Sequence, residues 1–189
     1  MNIRMRKMIR NVLSWTIVLA LVCMSAQLLL ADTAKEIDAD AAAALQKLYA
    51  SNPDIKKLGD NAKGILIFPH IKKAGLIVGG QGGEGCLQKA GKTVAYYKTG
   101  AASIGLQAGV QEYGYAMFFM DDESLNYLET SSGWEIGSGP SVVLVDEGFG
   151  KSMTTTTLKK GVYAAIFGQK GLMAGIGLQG SKITKIDKK

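Results

Sequence analysis

Arginine is missing from nearly all of this sequence: none occurs after Arg10, and every later cation is a lysine. The planar guanidinium grips carboxylates, phosphates and guanine edges with two donors at once. A chain body without it is a poor reader of DNA, and nucleic acid is set aside as a partner. Cysteine is almost absent too. Cys23 lies in an N-terminal apolar run, which leaves Cys86 alone in the remainder. No disulfide can form there, and the fold has to hold by burial. The chain has one histidine, His70. With one thiol beside it, an ordinary zinc set is out of reach unless carboxylates complete it, so no metal or cofactor is expected. An apolar fraction of 47% argues against long disorder.

The net charge of +6 is unevenly spread, because Arg4, Arg6, Lys7 and Arg10 precede the first acid, Asp32. Beyond them, 18 basic residues face 16 acidic ones, an excess of +2. The cationic start runs into an apolar stretch from Val12 to about Ala26, the form of a secretory signal. Residues 1–31 are therefore expected to direct export, to the periplasm or outside the cell. Cleavage after Ala31 or Ala26 fits, although each site has a bulky or polar residue nearby. Counted on to Ala31, the stretch is also long enough to stay as a membrane anchor. Lipidation at Cys23 is a third possibility, weakened by Ala20-Leu21-Val22 before it. Residues 32–189 are expected to form one domain.

After Asp32 the apolar residues Ala34, Ile37, Ala41, Leu45 and Leu48 recur at three- and four-residue spacing, which predicts a helix with one buried stripe. Asp32, Glu36, Asp38 and Asp40 crowd its start, where the helix dipole favours acids. Asn52-Pro53-Asp54 has the form of a cap followed by proline at the first helical position, opening a short helix that ends near Gly59. A further helical insertion is expected from about Asp122 to Leu128, capped by Asp121 or Asp122.

The rest is strand and turn. Ile65-Leu66-Ile67-Phe68 is a short run stopped by Pro69, with His70 in the turn behind it. Tyr113, Tyr115, Met117 and Phe119 alternate with Gly114, Ala116, Phe118 and Met120, and Val142–Val145 and Val162–Phe167 also suit strands. All 24 glycines follow the N-terminal segment, about twice the usual density. They alternate with apolar residues in Ser103–Val110, in Leu172–Ser181 and around Gly75, Gly79 and Gly83. Glycine inside a strand marks strong bending or close approach of a backbone or ligand. The expected fold is α+β: a mainly antiparallel, strongly curved or barrel-like sheet with an N-terminal helix and short helical insertions. Either curvature alone needs the glycines, or their bare face leaves room for something long and apolar.

Three ordered motifs carry a resemblance. Ala62-Lys63-Gly64-Ile65-Leu66-Ile67-Phe68-Pro69 leads into Lys73-Ala74-Gly75-Leu76 and Gly79–Gly85. Ser103-Ile104-Gly105-Leu106-Gln107-Ala108-Gly109 follows. Gly161-Val162-Tyr163 and Lys170–Ile176 close the set, ending in Leu178-Gln179-Gly180. Together they resemble the SYLF domain, also labelled an actin-binding domain after its yeast members, over about Ile37 to Ile186. The resemblance implies phospholipid binding without catalysis, in a single-domain protein of the bacterial cell envelope. Tyr96-Tyr97-Lys98-Thr99 departs from the family, which often has tryptophan and proline there. The acidic Asp32–Asp40 segment has no likeness to the basic stretch linked with actin, so actin is not carried over.

Other chemistry is weakly supported. Gly80–Gly85 satisfies a dinucleotide fingerprint formally, but Cys86–Lys92 suits strand and turn where that site needs a helix. Gly148-Phe149-Gly150-Lys151-Ser152 lacks the first glycine of a phosphate loop, with Val145 in its place. Asp121-Asp122-Glu123 and Asp146-Glu147 lack calcium-loop spacing and are expected as caps or solvated turns. No serine has nucleophile-elbow spacing to serve with His70. The candidate lipid-binding residues are Lys72 and Lys73 in the first motif and Lys159, Lys160 and Lys170 beside the last. The alternative is an envelope scaffold that binds a protein partner and no lipid.

Overall fold

The structure is a computed structural model that describes residues 32–75, 78–104, 109–145, 161–170 and 178–188. The chain divides into Met1–Asp32 and Thr33–Lys189. The expected export segment 1–31, Lys159 and Lys160, the Asp146-Glu147 and Gly148–Ser152 runs and most of the last glycine run lie outside the described residues.

Helix α1 spans Ala34–Ser51. A capping box opens it: the Glu36 N–H donates to Thr33 Oγ1, and Glu36 Oε2 accepts from the Thr33 N–H at 2.8 Å. These bonds satisfy donors a helix start leaves unpaired, and the Thr33 N–H, joined by the Thr33 hydroxyl donating to the same oxygen at 2.7 Å, holds the Glu36 carboxyl below its usual range. Its stripe buries Ile37, Ala41 and Leu48. Asn52 both ends α1 and caps α2, Pro53–Asn61, its Oδ1 accepting from the Asp54 and Ile55 N–H groups. The second helix runs to Asn61 rather than stopping near Gly59.

Eight strands follow: β1 Gly64–Gly75, β2 Val78–Lys89, β3 Lys92–Ile104, β4 Gly109–Phe119, β5 Trp134–Glu135, β6 Val142–Val145, β7 Val162–Lys170 and β8 Lys182–Ile186. They form one sheet in the order β5-β8-β3-β2-β1-β4-β7-β6. All pairings are antiparallel except the parallel β6–β7 pair. β5 and β6 lie at opposite edges, yet only residues 136–141 separate them in the chain. Eight flat strands would be about 34 Å wide, while seven residue steps reach at most about 25 Å. The sheet therefore has to curl, and it forms a half-barrel.

Side-chain alternation sorts two cores. Inward lie Leu66, Phe68, Leu87, Tyr97, Tyr113, Tyr115, Met117 and Phe119, joined by Trp134 and Val162 from near the two edges. Outward lie Ile67, Cys86, Ala116, Phe118 and Ala165, covered by Ile37, Ala41, Leu48, Ile55 and Leu58 of α1 and α2. Helix α3, Asp122–Thr130, adds Leu125 and Leu128 to the inner core. Its cap is Asp121, which accepts from the Ser124 N–H and also from the Gly161 N–H before β7.

Pro69 does not stop the first strand. β1 passes through it and His70 on a bulge, with register shifts against both β2 and β4. A bulge is where a central strand can accept proline, since the missing N–H falls outside the ladder. The bulge also reverses the alternation, so that Ile71 rather than Lys72 faces inward. At Gly83 and Gly85, the neighbouring backbone answers the question the glycines raised. A methyl group there would collide with the carbonyls of His70 and Ile67. On this part of β2 the glycines serve close strand approach.

Candidate functional site

Strand register builds a four-residue row on the outer face. Ala102 of β3 pairs with Gly80 of β2, Gly80 with Ala74 of β1, and Ala74 with Val110 of β4. All four are exposed, Val110 to 73%. The row contains no charge, and it lies at the end of the sheet away from the α3 cap.

Lys72 stands one outward position further along β1, exposed, in register with Gly82 and Glu112. Beyond it comes His70 on the bulge. Its Nδ1 lies 2.8 Å from Glu112 Oε1, and its Nε2 lies 3.5 Å from Asp40 Oδ2 of α1. These three side chains rim a groove of about 370 Å³, floored by Ala44, Leu48, Pro69 and Phe167, with Lys47 on the α1 side.

Sequence-predicted site residues fall in different places. Lys72 is on the outer face. Lys73 is a correction to its proposed role: the bulge turns it inward, 7% exposed, in register with Gln81 and Gln111. A side chain so covered has little surface to offer a membrane. Lys170 ends β7 opposite Glu112, and Lys159 and Lys160 lie outside the described residues. Sequence reasoning missed the Ala102–Val110 row and the two carboxylates at His70. Strand register assembles the row and brings Glu112 near His70, and the packing of α1 on the sheet brings Asp40; no local pattern signals either.

The inner face is polar at specific points. The Tyr115 hydroxyl donates to Thr99 Oγ1 at 2.9 Å. The Tyr113 hydroxyl donates to Gln81 Oε1 at 3.0 Å, and Gln81 Nε2 reaches Ser181 Oγ at 3.2 Å. Burial pushes the Tyr113 hydroxyl up to about 12, and burial with the nearby Glu129 charge does the same for Tyr97. Burial also raises the Cys86 thiol to about 11, far from the range of a reactive thiolate.

His70 was expected in a turn and lies in a strand. Its polar partners are carboxylates, and Ser51, which lines the same groove, donates its hydroxyl to the Leu48 carbonyl at 2.9 Å. The glycines of Gly80–Gly85 run inside β2, which ends in a two-residue turn at Ala90 and Gly91, both with positive φ. No helix follows to hold a pyrophosphate. Among the described residues, no group of three His, Cys, Asp or Glu side chains is placed to hold a metal ion. No helix there is long and apolar enough to cross a membrane.

A half-barrel with helices on its outer face and one bare, uncharged row beside a lysine defines a domain that presents a surface. Residues 100–189 match the sequence model of the Ysc84 family, described as Las17-binding protein actin regulator. This is the SYLF domain family that the three motifs resemble, a family of binding domains. No curated protein matches the chain.

Proposed function

We propose that this protein is a non-enzymatic phospholipid-binding domain of the bacterial cell envelope, exported by residues 1–31 and docking on anionic lipid. The observation that carries the reading is the exposed row Ala102, Gly80, Ala74 and Val110 next to Lys72. Small apolar side chains on a sheet end can enter the headgroup boundary, while a lysine near an anionic surface adds about 1 kcal/mol. Lys159, Lys160 and Lys170 remain the other proposed contacts, and Lys73 drops out by its burial. Actin regulation is not part of the proposal. The acidic start of α1 is engaged within the fold, with Asp38 accepting from Thr93 Oγ1 at 2.8 Å and the Tyr96 hydroxyl at 3.0 Å.

Vesicle sedimentation across a salt series tests the reading. Binding should weaken with salt and fall about fivefold in Lys72→Gln, the loss of one such cation. Equal binding to neutral and anionic vesicles at every ionic strength would remove the lysine mechanism. A second reading, a scaffold that binds protein and no lipid, is favoured by β6. That edge strand is uncharged and exposes Val143 and Leu144 at 46% and 50%, where most edges carry charge or proline against strand pairing. Failure to bind any vesicle, with one stoichiometric protein partner recovered, would select it.

A further inference from the structure

We infer that the outer face takes an amine-bearing phospholipid headgroup, phosphoethanolamine, with its phosphate at Lys72 and its ammonium at Asp40 and Glu112. The inference rests on the phospholipid reading above and names the lipid class.

The order of groups along the face carries it. Outward-facing positions of a strand repeat about every 7 Å. Moving along β1, the face presents the uncharged Ala74–Val110 row, then the Lys72 cation with Glu112 beside it in the same row, then His70 on the bulge and Asp40 of α1, which with Glu112 rim the groove. An aminophospholipid presents matching chemistry in the same sequence: apolar chains, an anionic phosphate, then a primary ammonium. A headgroup lying along the face would place each charge opposite its counterpart.

The proton inventory of the groove favours a donor-rich cation. Charged or titratable groups reach it from α1 as Asp40 and Lys47, from β1 as His70, and from β4 as Glu112, with Lys72 of β1 and Lys170 of β7 in register with Glu112 on either side. One imidazole serves both carboxylates, at 2.8 Å from Glu112 Oε1 and 3.5 Å from Asp40 Oδ2, with at most one N–H for each. Neither carboxylate has another partner among the described residues. A primary ammonium brings three N–H donors to these oxygens. The quaternary ammonium of choline has the same charge and no N–H, so the site distinguishes the two. Pro69 and Phe167 on the floor suit the short hydrocarbon link, and a groove of about 370 Å³ is within the range of small-ligand sites.

The test compares two vesicle sets of equal anionic phosphatidylglycerol content, in which the remaining lipid is phosphatidylcholine or phosphatidylethanolamine. Full-length protein and its variants share one N-terminal segment, so differences between them report the face. Binding to the ethanolamine set should be roughly tenfold stronger, the size of one charge-assisted hydrogen bond. Asp40→Asn with Glu112→Gln should bind both sets alike, and circular dichroism should show it folded. Anionic vesicles that bind with no ethanolamine gain, or a double variant that keeps the gain, would overturn the inference and leave lipid docking intact. Soluble phosphoethanolamine that strips the protein from vesicles at concentrations matching the lipid would also overturn it, in favour of a free ligand. No binding to either set would remove the phospholipid reading itself.

Discussion

Gly85 of β2 lies against the carbonyl of Ile67 in β1, closer than any side chain allows. Gly85→Ala should therefore force the two central strands apart, costing about 1–3 kcal/mol as overpacking does. At Gly80 the nearest atom to an added methyl is the Ala101 carbonyl at 3.8 Å, an ordinary contact. Gly80→Ala should be neutral within about 0.5 kcal/mol. Chemical denaturation of the two variants measures the contrast; equal losses would show that the glycines act through backbone freedom rather than close approach.

Two buried tyrosines make opposite predictions. Tyr115 donates to Thr99 Oγ1 within the core, and its ring lies 4.9 Å from that of Phe68. Tyr115→Phe keeps the ring and strands the Thr99 hydroxyl, at a cost of about 1–2 kcal/mol. The Tyr97 hydroxyl is buried with no hydrogen-bond partner, so Tyr97→Phe should be neutral or stabilising. Denaturant midpoints for the pair read this directly.

Alkaline pH should unfold the domain. Tyr49, Tyr97 and Tyr113 are each raised from 10 to about 12, burial being the largest cause. The unfolded chain releases these protons first, so their contribution is complete below pH 10 and is lost as pH rises toward about 12. Stability measured from pH 8 to 12 should be flat and then fall, and Tyr97→Phe with Tyr113→Phe should flatten the fall. An unchanged slope in the double variant would place the cause elsewhere.

Cys86 should resist modification. It is fully buried in the outer core under the helices, and its thiol is raised to about 11. Native protein at pH 8 should react with a maleimide at least a hundredfold more slowly than protein in guanidinium, because attack needs both thiolate and access. Rapid labelling of the native state would mean that α1 opens readily from the sheet.

Much of this architecture was legible before any coordinates. Asn52-Pro53 marked the junction of two helices, Asp121 was among the expected caps, and the Tyr113–Met120 alternation gave both faces of β4 in register. The first strand was not. Pro69 reads as a stop because a proline removes a ladder donor, and nothing nearby announces that a bulge absorbs it. That one extra residue reverses the alternation, which is why Lys73 seemed an exposed cation and is buried. The candidate site was hidden for a related reason. Ala74, Gly80, Ala102 and Val110 are unremarkable residues on four strands, and His70 meets Glu112 across a pairing that only the sheet order defines.

The position of β8 has a consequence for how the molecule is made. β5 reaches the sheet only through β8, with Trp134 opposite Ile183, and β8 in turn lies along β3. As the chain emerges from the ribosome, Trp134 waits without its partner strand until β8, the last strand among the described residues, has been synthesised. Its strand pairing is thus a late event: before β8 is made, the indole can hold only to its near neighbours, the rings of Phe119 and Tyr127 and the Ser138 carbonyl.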